Sequence, residues 1–226
     1  LPGGVDSHCH IEQRSGMGVM CADDFYTGTV SAAFGGTTTV IPFAAQHRGM
    51  SLRQVVKDYH EAATPKAVTD YAFHLIITDP TQQVLGQELP ALIKDGYTSF
   101  KIYMTYDAMK VTDYQILDIL ALARRDGALV MVHAENHDMI TWLAHHLVDQ
   151  GHVAPKFHAI AHARVAEAEA TNRAISLARL VDAPLLLVHM SEIEAIDTLR
   201  QAQKKGLKIF GETCPQYIAL TADDMD

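Results

Sequence analysis

Short aliphatic and β-branched runs recur along the chain, each followed by a longer stretch whose apolar positions fall at helical spacing. The runs predict strands at Gly4 to His10, Thr37 to Phe43, Asp70 to Ile77, Thr98 to Met104, Leu129 to Glu135, Pro184 to Met190 and Leu207 to Glu212. Between them, Ser51 to Ala63, Asp113 to Arg125, Ala163 to Val181 and Glu192 to Lys205 read as helices. In the last of these, Ile193, Ile196 and Leu199 share a face, and Gly206 stands where a left-handed C-terminal cap belongs. The gap between the fifth and sixth strands has room for two helices.

Strand followed by helix at about 30 residues per unit is the signature of βα units on a parallel sheet. Seven such units in 226 residues predict an α/β fold of the (β/α)8 barrel type, which takes roughly 250 residues for eight units. The competing architecture is an open doubly wound sheet. No G-x-G-x-x-G follows the first strand and no phosphate-cradling glycine loop occurs elsewhere. Gly35-Gly36 before Thr37 reads as an ordinary helix-to-strand turn.

Composition narrows the function. With 48% hydrophobic residues and 20% charged, the chain can bury one large core. Its net charge of −9 and the absence of any block of Lys or Arg argue against nucleic acid and against an anionic membrane surface. A small molecule or another subunit is the expected partner. Three cysteines, Cys9, Cys21 and Cys214, without a C-x-x-C pair point to a reducing compartment, with cytoplasm as the default. No apolar run is long enough for a membrane span and the N-terminus has no signal-peptide layout. A chain that opens with Leu1-Pro2-Gly3-Gly4 directly into a strand reads as an excerpt of something longer.

The chemistry-bearing residues cluster at predicted strand ends. Asp6, His8 and His10 alternate, so their side chains share one face of the first strand while Ser7 and Cys9 point away. Two imidazoles can then converge on one ion. His133 ends Leu-Val-Met-Val-His, His189 ends Leu-Leu-Leu-Val-His, and Lys101 sits in Phe-Lys-Ile-Tyr. In a barrel the carboxyl ends of the strands open onto the face where active sites collect. One histidine at the end of an apolar strand is more often just a hydrogen-bonded rim residue, but four with a lysine are harder to dismiss.

A lysine inside an apolar strand must snorkel or lose its charge, which leaves a nucleophilic amine. Two divalent ions held by neutral imidazoles would also need an anionic bridge. A carbamate formed from Lys101 and carbon dioxide would supply one between ions ~3.5–4 Å apart. His158 and His162 form a rival i, i+4 pair, but the glutamate of H-E-x-x-H is missing, so they read as a packing or solvated pair. His47, His60, His74, His137, His145, His146 and His152 carry no pattern that separates them from packing or surface histidines. The three cysteines read as structural.

The segments Gly3-Gly4-Val5-Asp6-Ser7-His8-Cys9-His10, Gly35 to Val40, Phe100 to Tyr106, Val132 to Asn136, Glu167 to Ile175, Val188-His189 and Gly211 to Pro215 together resemble the D-hydantoinase/dihydropyrimidinase branch of the metal-dependent cyclic amidohydrolases, along the whole chain. The resemblance implies that residues 1–226 are one catalytic barrel, incomplete, with the family's β-sandwich and last strand absent. It implies two divalent ions, zinc by preference. His8 and His10 would hold the more buried ion, His133 and His189 the more exposed one, and N6-carboxylated Lys101 would bridge them. Tyr106 would hydrogen-bond the carbonyl oxygen as negative charge develops. The segments Ile11 to Ala22 and Met104 to Val111 would shape the substrate pocket, with Met17, Met20 and Tyr103 as weaker lining candidates.

The family's last metal ligand, an Asp, would fall beyond Asp226, so the stretch 1–226 is not expected to turn over substrate alone. For the intact protein the resemblance implies attack of a metal-bridging hydroxide on a hydantoin or dihydropyrimidine, giving an N-carbamoyl amino acid, and a homotetramer or homodimer. Allantoinase and dihydroorotase chemistry are the alternatives among enzymes. A metal-free assembly protein is the alternative outside them, and the presence of His8, His10, Lys101, His133 and His189 weighs against it.

Overall fold

The computed structural model describes residues 1–15 and 18–225. It consists of two compact units, one of residues 1–101 with 126–128, the other of residues 102–125 with 129–226. The first carries β1 (Gly4–Cys9), α1 (Phe25–Phe34), β2 (Thr37–Ala45), α2 (Leu52–Ala63), β3 (Asp70–Tyr71), β4 (His74–Ile76), α3 (Leu89–Lys94) and the start of β5 (Ser99–Tyr103). β1 pairs with β2, β2 with both β3 and β4, and β4 with β5, all parallel. The second unit carries the end of β5, most of α4 (Asp113–Asp126), β6 (Leu129–His133), α5 (His137–Asp149), α6 (Phe157–Ala161), α7 (Arg164–Leu180), β7 (Leu185–Leu187), α8 (Ile193–Lys204) and β8 (Ile209–Gly211). Here β6 pairs with β7 and β7 with β8, again parallel.

Parallel strands joined through helices are the βα organisation that the hydrophobic pattern predicts, and the fold class is α/β of the partial (β/α)-barrel kind. The strands read as continuous apolar runs because both faces are covered: His74–Ile76 and Phe100–Tyr103 are buried throughout. One predicted strand differs. Asp70 to Ile77 breaks at Ala72-Phe73 into β3 and β4, so there are eight strands among the described residues rather than seven. The ladder of β1 on β2 also slips between Asp6 and Cys9, the kind of irregularity that re-aims side chains at a strand end. Gly3, just before this strand, passes so close to β2 that a Cβ there would stand 2.0 Å from the Thr38 hydroxyl oxygen.

The helices are more numerous than the apolar spacing suggested. α1, α3, α5 and α6 were not among the predicted stretches, and three helices rather than two lie between β6 and β7. α5 is set by its cap: the Asn136 side chain accepts from the Met139 amide. α7 presents Ala166, Ala170, Ala174 and Ala178 at i, i+4 spacing, each at most 1% exposed, and packs against α8. α8 ends as predicted. Gly206 takes φ +79, its amide bonds the Gln203 carbonyl at 2.9 Å, and the Leu207 amide reaches back to Ala202 at 3.2 Å. No helix among the described residues is long and apolar enough to cross a membrane.

Candidate functional site

In the first unit the predicted residues gather around one phenyl ring. Phe43, fully buried in β2, lies 4.8 Å from the His8 ring and 5.0 Å from the His10 ring, centroid to centroid. The two imidazoles are 5.8 Å apart. The ammonium of Lys101 stands 5.2 Å over the same phenyl, and Lys101 is only 1% exposed. His10 sits one residue past β1 rather than within it.

The His10 ring is oriented by Gln13, whose side-chain oxygen lies 2.7 Å from Nδ1. Facing a carbonyl oxygen, Nδ1 carries the proton and Nε2 keeps its lone pair, the arrangement a ligating imidazole needs. Solvent reaches the residue, yet its ring is crowded. That burial lowers the His10 pKa, with the charges of His8 and Lys101 acting in the same direction and the Gln13 bond opposing them. A neutral imidazole is favoured. His74, which sequence alone left among packing histidines, bonds the Ser7 carbonyl through Nε2 at 2.9 Å and Ser99 through Nδ1 at 2.5 Å. It thereby pins the backbone next to His8.

In the second unit His133 and His189 face each other with ring centroids 4.6 Å apart. His133 is the last residue of β6. His189 lies two residues beyond β7, which stops at Leu187 rather than running to Met190 as predicted. The Tyr103 ring stacks on His133 at 5.3 Å, and Tyr106 lies 5.2 Å from it. Four described non-glycine residues adopt positive φ, and two of them are His189 at 40° and Tyr106 at 68°. That backbone is uncommon for residues with a Cβ and collects at functional positions.

A cavity of about 290 Å³ opens here, lined among others by Tyr106, His133, Glu135, His162, His189 and Tyr217. Burial, followed by the negative charge of Glu135 and the neighbouring Tyr217, pushes the Tyr106 phenol up to about 12. Tyr106 therefore remains a proton donor across the neutral range. Glu135 reaches His133 Nε2 with one oxygen at 2.5 Å and His162 Nδ1 with the other at 2.7 Å. Burial alone would raise its pKa; the bonds from His133 and His162 and their charges outweigh this and hold it well below the usual carboxylate range.

Sequence reasoning missed Glu135, and it set His162 aside as half of a packing pair. The rings of His158 and His162 do lie 4.2 Å apart, but His162 is engaged by Glu135, 27 residues earlier. An i, i+4 spacing search could not show that partner.

Of the other lining candidates, Tyr103 is buried against His133. Met20 lines a separate cavity of about 350 Å³ in the first unit with Glu12, Arg14, Phe25 and Tyr59. Met17 lies outside the described residues. Among the described residues no three His, Cys, Asp or Glu side chains form a ligand set by themselves. Of the predicted ligands each unit holds two imidazoles, fewer than the three or four donors a firmly held ion takes. The donor chemistry fits a divalent ion in each unit only if Lys101 or further groups complete it.

A model of the amidohydrolase family matches residues 1–214. The chain is 44% identical over 222 residues to a D-hydantoinase of Geobacillus stearothermophilus, covering 97% of this chain and 47% of that protein. The structure of a D-hydantoinase from Bacillus sp. AR9 matches with a TM-score of 0.95 at 43% identity, covering 100% of this chain and 49% of the other. A dihydropyrimidinase from Brevibacillus agri NCHU1002 matches with a TM-score of 0.95 at 42% identity, over 98% of this chain and 48% of the other. The chain spans about half the length of the curated relatives it matches.

Proposed function

The chain belongs to the amidohydrolase family, and on that premise we propose that the protein is a binuclear metal-dependent hydrolase that opens the cyclic amide of hydantoins or dihydropyrimidines to N-carbamoyl amino acids. The observation that carries this reading is the burial of Lys101 over the same phenyl ring that seats His8 and His10. Its relatives include D-hydantoinases and a dihydropyrimidinase at 42–44% identity. The reading assigns His8 and His10 to one divalent ion, His133 and His189 to a second, and Lys101, as its N6-carbamate, to both. Zinc suits imidazole and oxygen donors of this kind. When bound, such ions supply a water of lowered pKa and polarise a carbonyl.

The chain's own residues do the rest. Gln13 holds His10, and His74 holds the backbone beside His8, so the imidazoles need not reorganise on binding. In the overall reaction water adds to the ring carbonyl carbon, the ring C–N bond breaks, and the departing nitrogen takes up a proton. Tyr106, a neutral phenol on the rim of the cavity, donates a hydrogen bond to the carbonyl oxygen as it gains negative charge, which is where such a donor counts most. A homo-oligomer and a cytoplasmic setting belong to the same reading; the three cysteines, none in a disulfide, are compatible with the latter.

The test is metal analysis of the full-length protein together with assay on hydantoin and dihydrouracil. Two divalent ions per chain and ring opening of either substrate are expected. Lys101→Ala should lose metal and activity together, with partial rescue by a short carboxylic acid. A Lys101→Ala protein that keeps two ions would refute the bridge, and a metal-free wild type inert on both rings would refute the function.

A further inference from the structure

Glu135 spends its two carboxylate oxygens on two different imidazoles, Oε2 on His133 Nε2 at 2.5 Å and Oε1 on His162 Nδ1 at 2.7 Å. An ionised carboxylate only accepts, so both nitrogens facing it must carry protons. For a neutral His133 this leaves one lone pair, on Nδ1. The bonds are shielded, because the Glu135 and His162 side chains are each 17% exposed and His133 only 11%. The two rings come from distant places, the end of β6 and the residue after α6, so Glu135 ties a strand end to a helix end across the wall of the cavity. His162 is itself anchored, its amide bonding the His158 carbonyl at 3.0 Å.

We propose that Glu135 is a positioning residue for metal binding, locking His133 in the tautomer that presents Nδ1 as a donor, with His162 as the outer clamp that keeps the carboxylate in place. The inference rests on the function proposed above and adds two residues to it. A carboxylate behind a ligating histidine fixes ring orientation and raises basicity, and its loss weakens metal affinity by about 10–100-fold. Glutamine is a weaker partner, because it loses the charge and offers an acceptor oxygen to only one of the two imidazoles, so that the other must change tautomer to keep a bond.

The experiment titrates metal-free, full-length protein with Co2+ alone and follows its visible absorption, for wild type, Glu135→Gln, His162→Ala and the double variant. Wild type should take up two ions per chain. Glu135→Gln should weaken one of them about 10–100-fold and leave the other unchanged. His162→Ala should weaken the same ion by less, and adding it to Glu135→Gln should change nothing further, since it acts through the carboxylate. Two ions bound equally well by wild type and Glu135→Gln would overturn the inference alone, as would full additivity of the two substitutions. A wild type that takes up no Co2+ would overturn the proposed function and this inference with it. If Glu135→Gln does not fold, His162→Ala decides the matter: unchanged binding of both ions overturns the proposal.

Discussion

The His10 imidazole lies stacked on Phe43, with centroids 5.0 Å apart and ring planes inclined by 22°. Phe43 also meets His8 edge-on at 4.8 Å and has no solvent exposure. One ring thus serves as core packing and as the platform for two imidazoles. Phe43→Ala should cost roughly 3–5 kcal/mol of stability, visible as a fall in the urea midpoint. Phe43→Leu keeps more of the core and should still weaken divalent-ion uptake, because both histidines lose their flat support. Unchanged uptake in Phe43→Leu would show that the phenyl only fills space.

Tyr106 is expected to act on the transition state and not on metal or folding. Tyr106→Phe should lower kcat by about 10²–10³, the loss typical of one oxyanion donor, with KM and metal content little altered. Loss of metal in this variant would move Tyr106 from chemistry to architecture.

The left-handed cap of α8 sets a stability test far from the cavity. Gly206 has φ +79, a conformation that costs a residue with a Cβ about 1–2 kcal/mol. Gly206→Ala should reduce unfolding free energy by about that amount, and Gly206→Asn by less. Equal urea midpoints for wild type and Gly206→Ala would contradict the cap geometry.

Much of this was legible in the chain. Strand positions followed from runs such as Leu129–Val132 and Leu185–Val188, whose continuous apolar character reflects burial on both faces. Lys101 stood out because a charged residue in Phe-Lys-Ile-Tyr has to be explained. What escaped depends on contacts remote in sequence or on caps. α5 carries a capping Asn136, but its polar opening, His137-Asp138, hid the apolar period. The break at Ala72-Phe73 arises where β2 exchanges one partner for another, β3 at Thr39-Val40 and β4 at Phe43–Ala45. Glu135 and His162 meet only because the chain returns after 27 residues; neither has a local signature.

An acid-dependent contribution is expected from the turn before β7. Arg124 donates to the Asp182 carboxylate at 2.6 and 3.2 Å and to its backbone carbonyl at 2.9 Å. The bond and charge of Arg124 hold the Asp182 carboxyl below its ordinary range. A depressed carboxylate stabilises the fold above the unfolded value, about 3.9, and loses that contribution as pH falls through the folded value. Asp182→Asn keeps a residue that tolerates the local φ of 53° and removes the charge. Its thermal midpoint should lie below wild type at pH 7 and converge with it in strong acid; a gap that persists there would mean that charge is not the cause.

The positive φ of Tyr106 and His189 sets heat resistance against chemistry. Each such backbone costs on the order of 1–3 kcal/mol, a noticeable share of a folding margin of about 5–15 kcal/mol. Glycine or asparagine would relax either spot while deleting the phenol or the imidazole. Variants selected for endurance at high temperature alone should therefore drift at 106 and 189 first, and the ring-opening turnover proposed above would disappear from them as their melting points climb.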